Sequence, residues 1–150
     1  MPELLKYLPH RPPMVLLDEV ISINEEKAVC RVKISEKSLF FEQGHVPAWV
    51  GLEYIAQTIA AYAGKLSHDK GDAASIGFLL GARRYASEVS RFEDGQVLEI
   101  EVFPNYSDGS MGHFKGVIRS GEEVIAEATL TTYQPTPEML EEMKQRLRNS

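Results

Sequence analysis

The chain contains one cysteine, Cys30, among its 150 residues. It therefore forms no disulfide within itself and offers no multi-cysteine metal site, and a reducing compartment suits it. Basic residues are in deficit: 16 Lys and Arg stand against 22 Asp and Glu, a formal net charge of −6. That balance argues against non-specific nucleic-acid binding, which relies on a basic face to displace counterions, while leaving room for a local basic patch. Long apolar runs are also missing. The longest, Val46 to Gly64, is interrupted by Glu53 and Gln57 and makes a poor membrane span. The first ten residues, MPELLKYLPH, lack the charged, then apolar, then small pattern of a secretory signal. Neither an internal repeat nor a dividing linker is visible. What is present is ordinary for a globular protein: 43% hydrophobic and 25% charged residues. The expectation is one domain over residues 1–150, in the cytoplasm.

Pro2 to Leu8 has room for a helical turn or two, ended by Pro9, and His10-Arg11-Pro12-Pro13 resists regular structure. Val15 to Ile23 reads as a strand from its β-branched content, and Asn24 to Lys27 as a turn. Over Ala28 to Ile34, Cys30, Val32 and Ile34 alternate with Arg31 and Lys33, the pattern of a strand with one wet side. The period then changes. Leu52, Ile55, Ala56, Ile59 and Ala63 recur at helical spacing after Pro47, which predicts a helix over 47–66. Its small residues (Ala56, Thr58, Ala60, Ala61, Ala63, Gly64) would let other backbone approach, so it reads as buried and central. Ser67 to Ser75 reads as a polar loop. Alternation returns at Ile76, Phe78 and Leu80, at Leu98, Ile100 and Val102, at Phe114 to Arg119 and at Val124 to Leu130. Phe103 to Gly112 reads as a connection, and Ser120-Gly121-Glu122 as a hairpin turn. A last helix follows Thr136-Pro137, with acidic residues first and basic residues last, as the helix dipole favours. Antiparallel strands curled around one buried helix make an α+β domain.

The chemistry concentrates in Phe40 to Gln57, FFEQGHVPAWVGLEYIAQ. A histidine, His45, precedes the helix, and Glu53 and Gln57 lie one turn apart on one helix face. A carboxylate in an apolar, small-residue helix is expected to be buried and to favour its neutral form, as a general acid requires. A neutral imidazole beside it can accept a proton, and the first helical turn offers backbone N–H groups to a developing oxyanion. The same residues are compatible with a plain loop histidine and a carboxylate at a helix N-terminus. Spacing alone does not choose between these readings.

Three stretches carry a resemblance, the first and third of them quite specific in combination. Leu8-Pro9-His10-Arg11-Pro12-Pro13-Met14-Val15-Leu16-Leu17-Asp18-Glu19-Val20, Phe41-Glu42-Gln43-Gly44-His45-Val46-Pro47 and Leu52-Glu53-Tyr54-Ile55-Ala56-Gln57 resemble, in that order, the motifs of FabZ-like 3-hydroxyacyl-[acyl-carrier-protein] dehydratases. The weaker stretch Phe114 to Ala128 is similar to that family's closing hairpin. The likeness runs over nearly the whole chain and implies a hotdog fold, an antiparallel sheet wrapped around a long central helix. In one respect the chain departs from the usual pattern. His45 and Glu53 are eight positions apart, where the family commonly has a longer loop with several Pro and Gly residues. The shortened form is similar to the aryl-polyene (ApeP-like) branch.

The resemblance implies a lyase acting on carrier-bound 3-hydroxyacyl thioesters in fatty-acid-like or aryl-polyene biosynthesis, with no metal or other cofactor. His45 would remove the α-proton and Glu53 would protonate the leaving hydroxyl, with Gln57 orienting the carboxylate. Trp49, Gly51 and Tyr54 would border the acyl substrate, and Arg83 and Arg84 would receive an acidic acyl carrier protein. The family pairs into dimers, which implies a homodimer or larger oligomer, or a heterodimer with a related dehydratase, and no nucleic-acid or membrane partner. His10 is expected to be structural, and His68 and His113 solvated. A thioesterase on the same fold and a non-catalytic partner subunit are the competing readings, since fold alone does not decide function.

Overall fold

The alternating segments pair into one antiparallel sheet, and the helical segment lies across its inner face. The computed structural model describes residues 15–69, 79–108 and 111–133, together with 141, 142, 145, 146 and 148. In chain order these form β1 (Glu19–Ile23), β2 (Ala28–Lys33), β3 (His45–Pro47), a 3-10 turn (Ala48–Val50), α1 (Gly51–Asp69), β4 (Leu79–Ser87), β5 (Arg91–Glu93), β6 (Val97–Asp108), β7 (Met111–Ser120) and β8 (Glu123–Tyr133). Six strands join in the order β1-β2-β6-β7-β8-β4, and β3 pairs with β5 in a separate ribbon.

Period-two alternation sets which face each residue takes. Cys30, Ile100, Ile118 and Ala126 lie side by side across four strands, and Ala28, Val102, Gly116 and Ala128 form the next row. These rows face α1, whose Tyr54, Ile55, Ile59 and Tyr62 are buried against the sheet. Gly116 sits under the crossing: a Cβ there would overlap Ile55 Cγ2. The opposite face carries ion pairs. Arg31 bridges Glu19 (2.7 Å) and Glu99 (3.1 Å), and Arg119 meets Glu101 at 2.6 Å. This is the hotdog architecture.

Several boundaries differ from the sequence reading, each for a physical reason. Regular pairing in β1 begins only at Glu19, although Leu17 is already fully buried. The helix runs on to Asp69, which puts His68 on α1 and not in a loop. Ser67, His68 and Asp69 are tolerated there because extending an existing helix adds a hydrogen bond for each residue fixed, and no Gly or Pro intervenes before Gly71. Of the connection expected over Phe103 to Gly112, residues 103–108 and 111–112 belong instead to the paired ends of β6 and β7, and 109–110 lie outside the described residues. A register shift between Pro104 and Tyr106 absorbs the proline, which has no N–H to give to a ladder. The short strands β3 and β5 carry too few residues for periodicity to register. Residues 141, 142, 145, 146 and 148 are helical, in line with the expected last helix. Its cap at Thr136-Pro137, the turn at Pro2 to Leu8, and residues 70–78 lie outside the described residues. Among the described residues no helix is long and apolar enough to cross a membrane.

Candidate active site

His45 is presented by a two-residue hairpin. Glu42 and His45 exchange both backbone hydrogen bonds (2.8 and 3.3 Å), and between them Gln43 and Gly44 both have positive φ, 55° and 86°. That is the turn whose twist matches flanking strands, and it favours glycine at its second position. β3 then pairs with β5, His45 opposite Glu93 and Val46 opposite Phe92. Val46 is buried, which turns the flanking His45 and Pro47 to the other side, where both are half-buried. His45 Nδ1 lies 3.3 Å from the carbonyl oxygen of Gln43. A carbonyl only accepts, so this bond belongs to the tautomer protonated on Nδ1 and leaves Nε2 as the basic nitrogen.

Glu53 stands in the first turn of α1. It is half-buried, not buried as the apolar pattern implied: the burial of α1 becomes continuous only from Tyr54 onward. One turn later Gln57 is 1% exposed, and its Oε1 accepts the Leu16 N–H at 2.9 Å. The amide thus ties the segment before β1 to the helix. With Oε1 engaged, its Nε2 is the half able to donate to a carboxylate.

Between His45 and Glu53 the 3-10 turn runs directly into α1. Trp49 is 62% exposed, and its ring lies 5.2 Å from that of Phe40 at 60°. Phe40 has φ 69°, a left-handed conformation that disfavours a bulky side chain by about 1–2 kcal/mol. The pair forms an aromatic lip next to the hairpin that carries His45. Tyr54, by contrast, is inside. It stacks on Phe92 at 6.0 Å, and burial pushes its hydroxyl well above the ordinary tyrosine range. Gly51 is buried too, and the places a side chain would fill hold the Tyr85 hydroxyl, Ile118 Cδ1 (2.9 Å) and Phe92 Cζ (3.1 Å).

Arg83 and Arg84 occupy β4, the edge strand beyond β8, opposite Leu130 and Thr129. Arg84 is exposed. A hollow of about 570 Å³ on the outer face of the sheet is lined by Phe103, Lys115, Val117, Arg119 and Glu127 among others, and by none of the candidate residues. Among the described residues no three His, Cys, Asp or Glu side chains are grouped as a metal site. Tyr85, Phe92 and Leu16 escaped the sequence reading, because each meets the site through a contact that no local pattern encodes.

The family model for the ApeP dehydratase (ApeP-like) matches residues 2–145. The chain belongs to the ApeP-like dehydratase family. Curated relatives agree. The 3-hydroxyacyl-[acyl-carrier-protein] dehydratase FabZ of Oceanobacillus iheyensis is 34% identical over 133 residues, 83% of this chain and 90% of that one. FabZ of Anaeromyxobacter sp. is 34% identical over 131 residues, 82% of each chain. Among solved structures, the dehydratase heterocomplex ApeI:P from Xenorhabdus doucetiae superimposes with a TM-score of 0.84 at 32% identity, covering 93% of this chain and 95% of that one. A hypothetical thioesterase protein with coenzyme A from Streptococcus pneumoniae matches at 14% identity and a TM-score of 0.63, over 78% of this chain and 84% of that one; at that distance the likeness is one of fold. This ApeP-like chain is accordingly a dehydratase of FabZ type.

Proposed function

We propose that this chain converts 3-hydroxyacyl thioesters on an acyl carrier protein to trans-2-enoyl thioesters in the cytoplasm, with His45 as base and Glu53 as acid. The observation that supports the reading is one short connection that carries both groups, His45 with Nε2 as its basic nitrogen and Glu53 in the first turn of α1, so that each chain of a pair offers one of each. His45 Nε2 takes the α-proton, which the thioester acidifies. Charge gathers on the carbonyl oxygen, where a backbone N–H at the start of the helix, that of Trp49, answers it. The β C–O bond breaks as Glu53 gives its proton to the departing hydroxyl, and water leaves. Return of the base proton to Glu53 resets the pair. The Gln57 Nε2 orients the carboxylate. The Phe40–Trp49 lip borders the acyl chain, and Gly51 and Tyr54 shape that border from within. Arg83 and Arg84 suit the acidic carrier.

The half-buried state of Glu53 in one chain fits a site completed by a second subunit, whose His45 would face it. A like chain would make a homodimer; a related dehydratase would make a heterodimer, as in the ApeI:P heterocomplex. That heterocomplex also supports a second reading, a subunit that acts only beside a catalytic partner. The test is incubation with a 3-hydroxyacyl-carrier thioester, alone and with a related dehydratase. Loss of water by the chain alone, abolished by Glu53→Gln in a folded protein, is the expected result. Release of free thiol would make it a thioesterase. Silence alone, with stimulation of the partner, would establish the second reading.

A further inference from the structure

The connection between His45 and Glu53 is short, and its shape depends on one hydroxyl from a distant strand. Tyr85 of β4 donates its O–H to the carbonyl oxygen of Ala48 at 2.6 Å, across 37 positions of sequence. The same carbonyl receives the N–H of Gly51, at the end of the 3-10 turn. On the other side of the residue, the Ala48 N–H donates to Ser90 O at 3.1 Å. Ala48 is therefore held at both its peptide groups, between the proposed base and acid in sequence. The hydroxyl reaches this carbonyl because residue 51 has no side chain: a Cβ on Gly51 would overlap Tyr85 Oη. Burial raises the Tyr85 pKa above its ordinary value, more than a hydrogen bond with Ser87 lowers it, so the group stays a donor near neutral pH.

The peptide unit from Ala48 to Trp49 is planar and trans, so its N–H points opposite to its C=O. Pinning the carbonyl with Tyr85 pins the Trp49 N–H in the opposite direction. That N–H belongs to the set at the helix start available to a developing oxyanion. A rotation of this one peptide would misdirect the N–H and shift both ends of the turn, His45 on one side and Glu53 on the other, out of the sites they serve.

We infer that Tyr85 is a positioning residue for dehydration: its hydroxyl holds the Ala48 carbonyl and thereby sets the turn that joins His45 to Glu53. This rests on the dehydratase reading above for its catalytic consequence, but the structural clamp stands apart from it. The clamp belongs to this chain's own short connection, which has no room for a longer loop to brace itself.

Tyr85→Phe removes only the hydroxyl and keeps the ring in place. The protein offers a built-in reporter, since its single tryptophan, Trp49, follows Ala48 directly. The variant should fold, with unchanged far-ultraviolet circular dichroism. Its Trp49 emission should become more quenchable by acrylamide, and amide hydrogen exchange over Ala48 to Glu53 should speed up by about tenfold, the loss of one net hydrogen bond. With 3-hydroxyacyl-carrier thioester, kcat should fall about ten- to a hundredfold, the scale of a misplaced reacting group, while KM stays within about threefold. Ala86→Gly, at an exposed position of the same strand, serves as the control for general loosening of β4. Unchanged quenching and exchange in Tyr85→Phe would overturn the clamp. Altered quenching and exchange with unchanged kcat would overturn its role in positioning, as would an equal change in Ala86→Gly. Should the wild type not dehydrate the thioester, the dehydratase reading fails by itself, and quenching and exchange still decide the clamp.

Discussion

Gly116 faces α1 from the middle of β7, between Val102 on β6 and Ala128 on β8. A methyl group there would overlap Ile55 Cγ2 and lie 3.4 Å from Ile55 Cγ1. Ile55 is fully buried, so it has no solvent to swing into. Two effects oppose each other in Gly116→Ala. Replacing a strand glycine gains about 0.5–1 kcal/mol of chain entropy, whereas overpacking a core loses about 1–3 kcal/mol. The overlap falls on a branched methyl that cannot be withdrawn, so the loss should win by about 1–2 kcal/mol. In an Ile55→Ala background the sign should reverse. That change removes Cγ1 and Cγ2 at a cost of about 2–5 kcal/mol, much of it for the cavity left behind. Adding the methyl at position 116 then fills part of that cavity, and the second substitution should be neutral or stabilise by about 1 kcal/mol. The assay is urea unfolding of the four proteins at one fixed concentration, comparing midpoints where the slopes agree. An equal loss from Gly116→Ala in both backgrounds, or a gain in the wild-type background, would refute the crossing of α1 over Gly116.

Further tests address the site and the buried hydroxyls. Mixing His45→Ala with Glu53→Gln chains, with verified subunit exchange, should recover roughly a quarter of wild-type activity if a two-fold site spans both chains; no recovery would place both residues within one chain. Arg84→Glu combined with Arg83→Glu should lower activity on carrier-bound substrate more than on a small free thioester, and added salt should weaken the wild type in the same direction. Equal losses on both substrates would point to damage in the pocket. Tyr54, Tyr62 and Tyr85 all have pKa values raised, chiefly by burial. A raised folded value means stability that is complete below the unfolded tyrosine value, about 10, and lost as pH climbs through the folded values. Unfolding midpoints should therefore fall above about pH 10, and part of the tyrosinate absorbance should appear late. Ionisation of all the tyrosines together at the ordinary value would contradict this.

The local pattern was enough for the β2 alternation, for the central helix starting after Pro47, for the turn at Ser120-Gly121-Glu122 and for the α+β class. These depend on neighbours in sequence, through period-two or helical spacing and turn chemistry. The motif around His45, Glu53 and Gln57 was legible for a different reason: it is contiguous, so one glance at residues 40–57 contains it. Tertiary structure decided everything that depends on distant partners. β3 and β5 are three residues each and exist because they pair with one another. Pro104 stays inside a strand because a register shift admits it. Gln57 meets Leu16 across 41 positions, and Tyr85 meets Ala48 across 37. Burial likewise separated two aromatics that look alike in sequence, leaving Trp49 at the surface and closing Tyr54 within the core. A hydrogen bond or a stacked ring depends on where the backbone brings two groups, and residues far apart in the chain carry no local mark of that meeting.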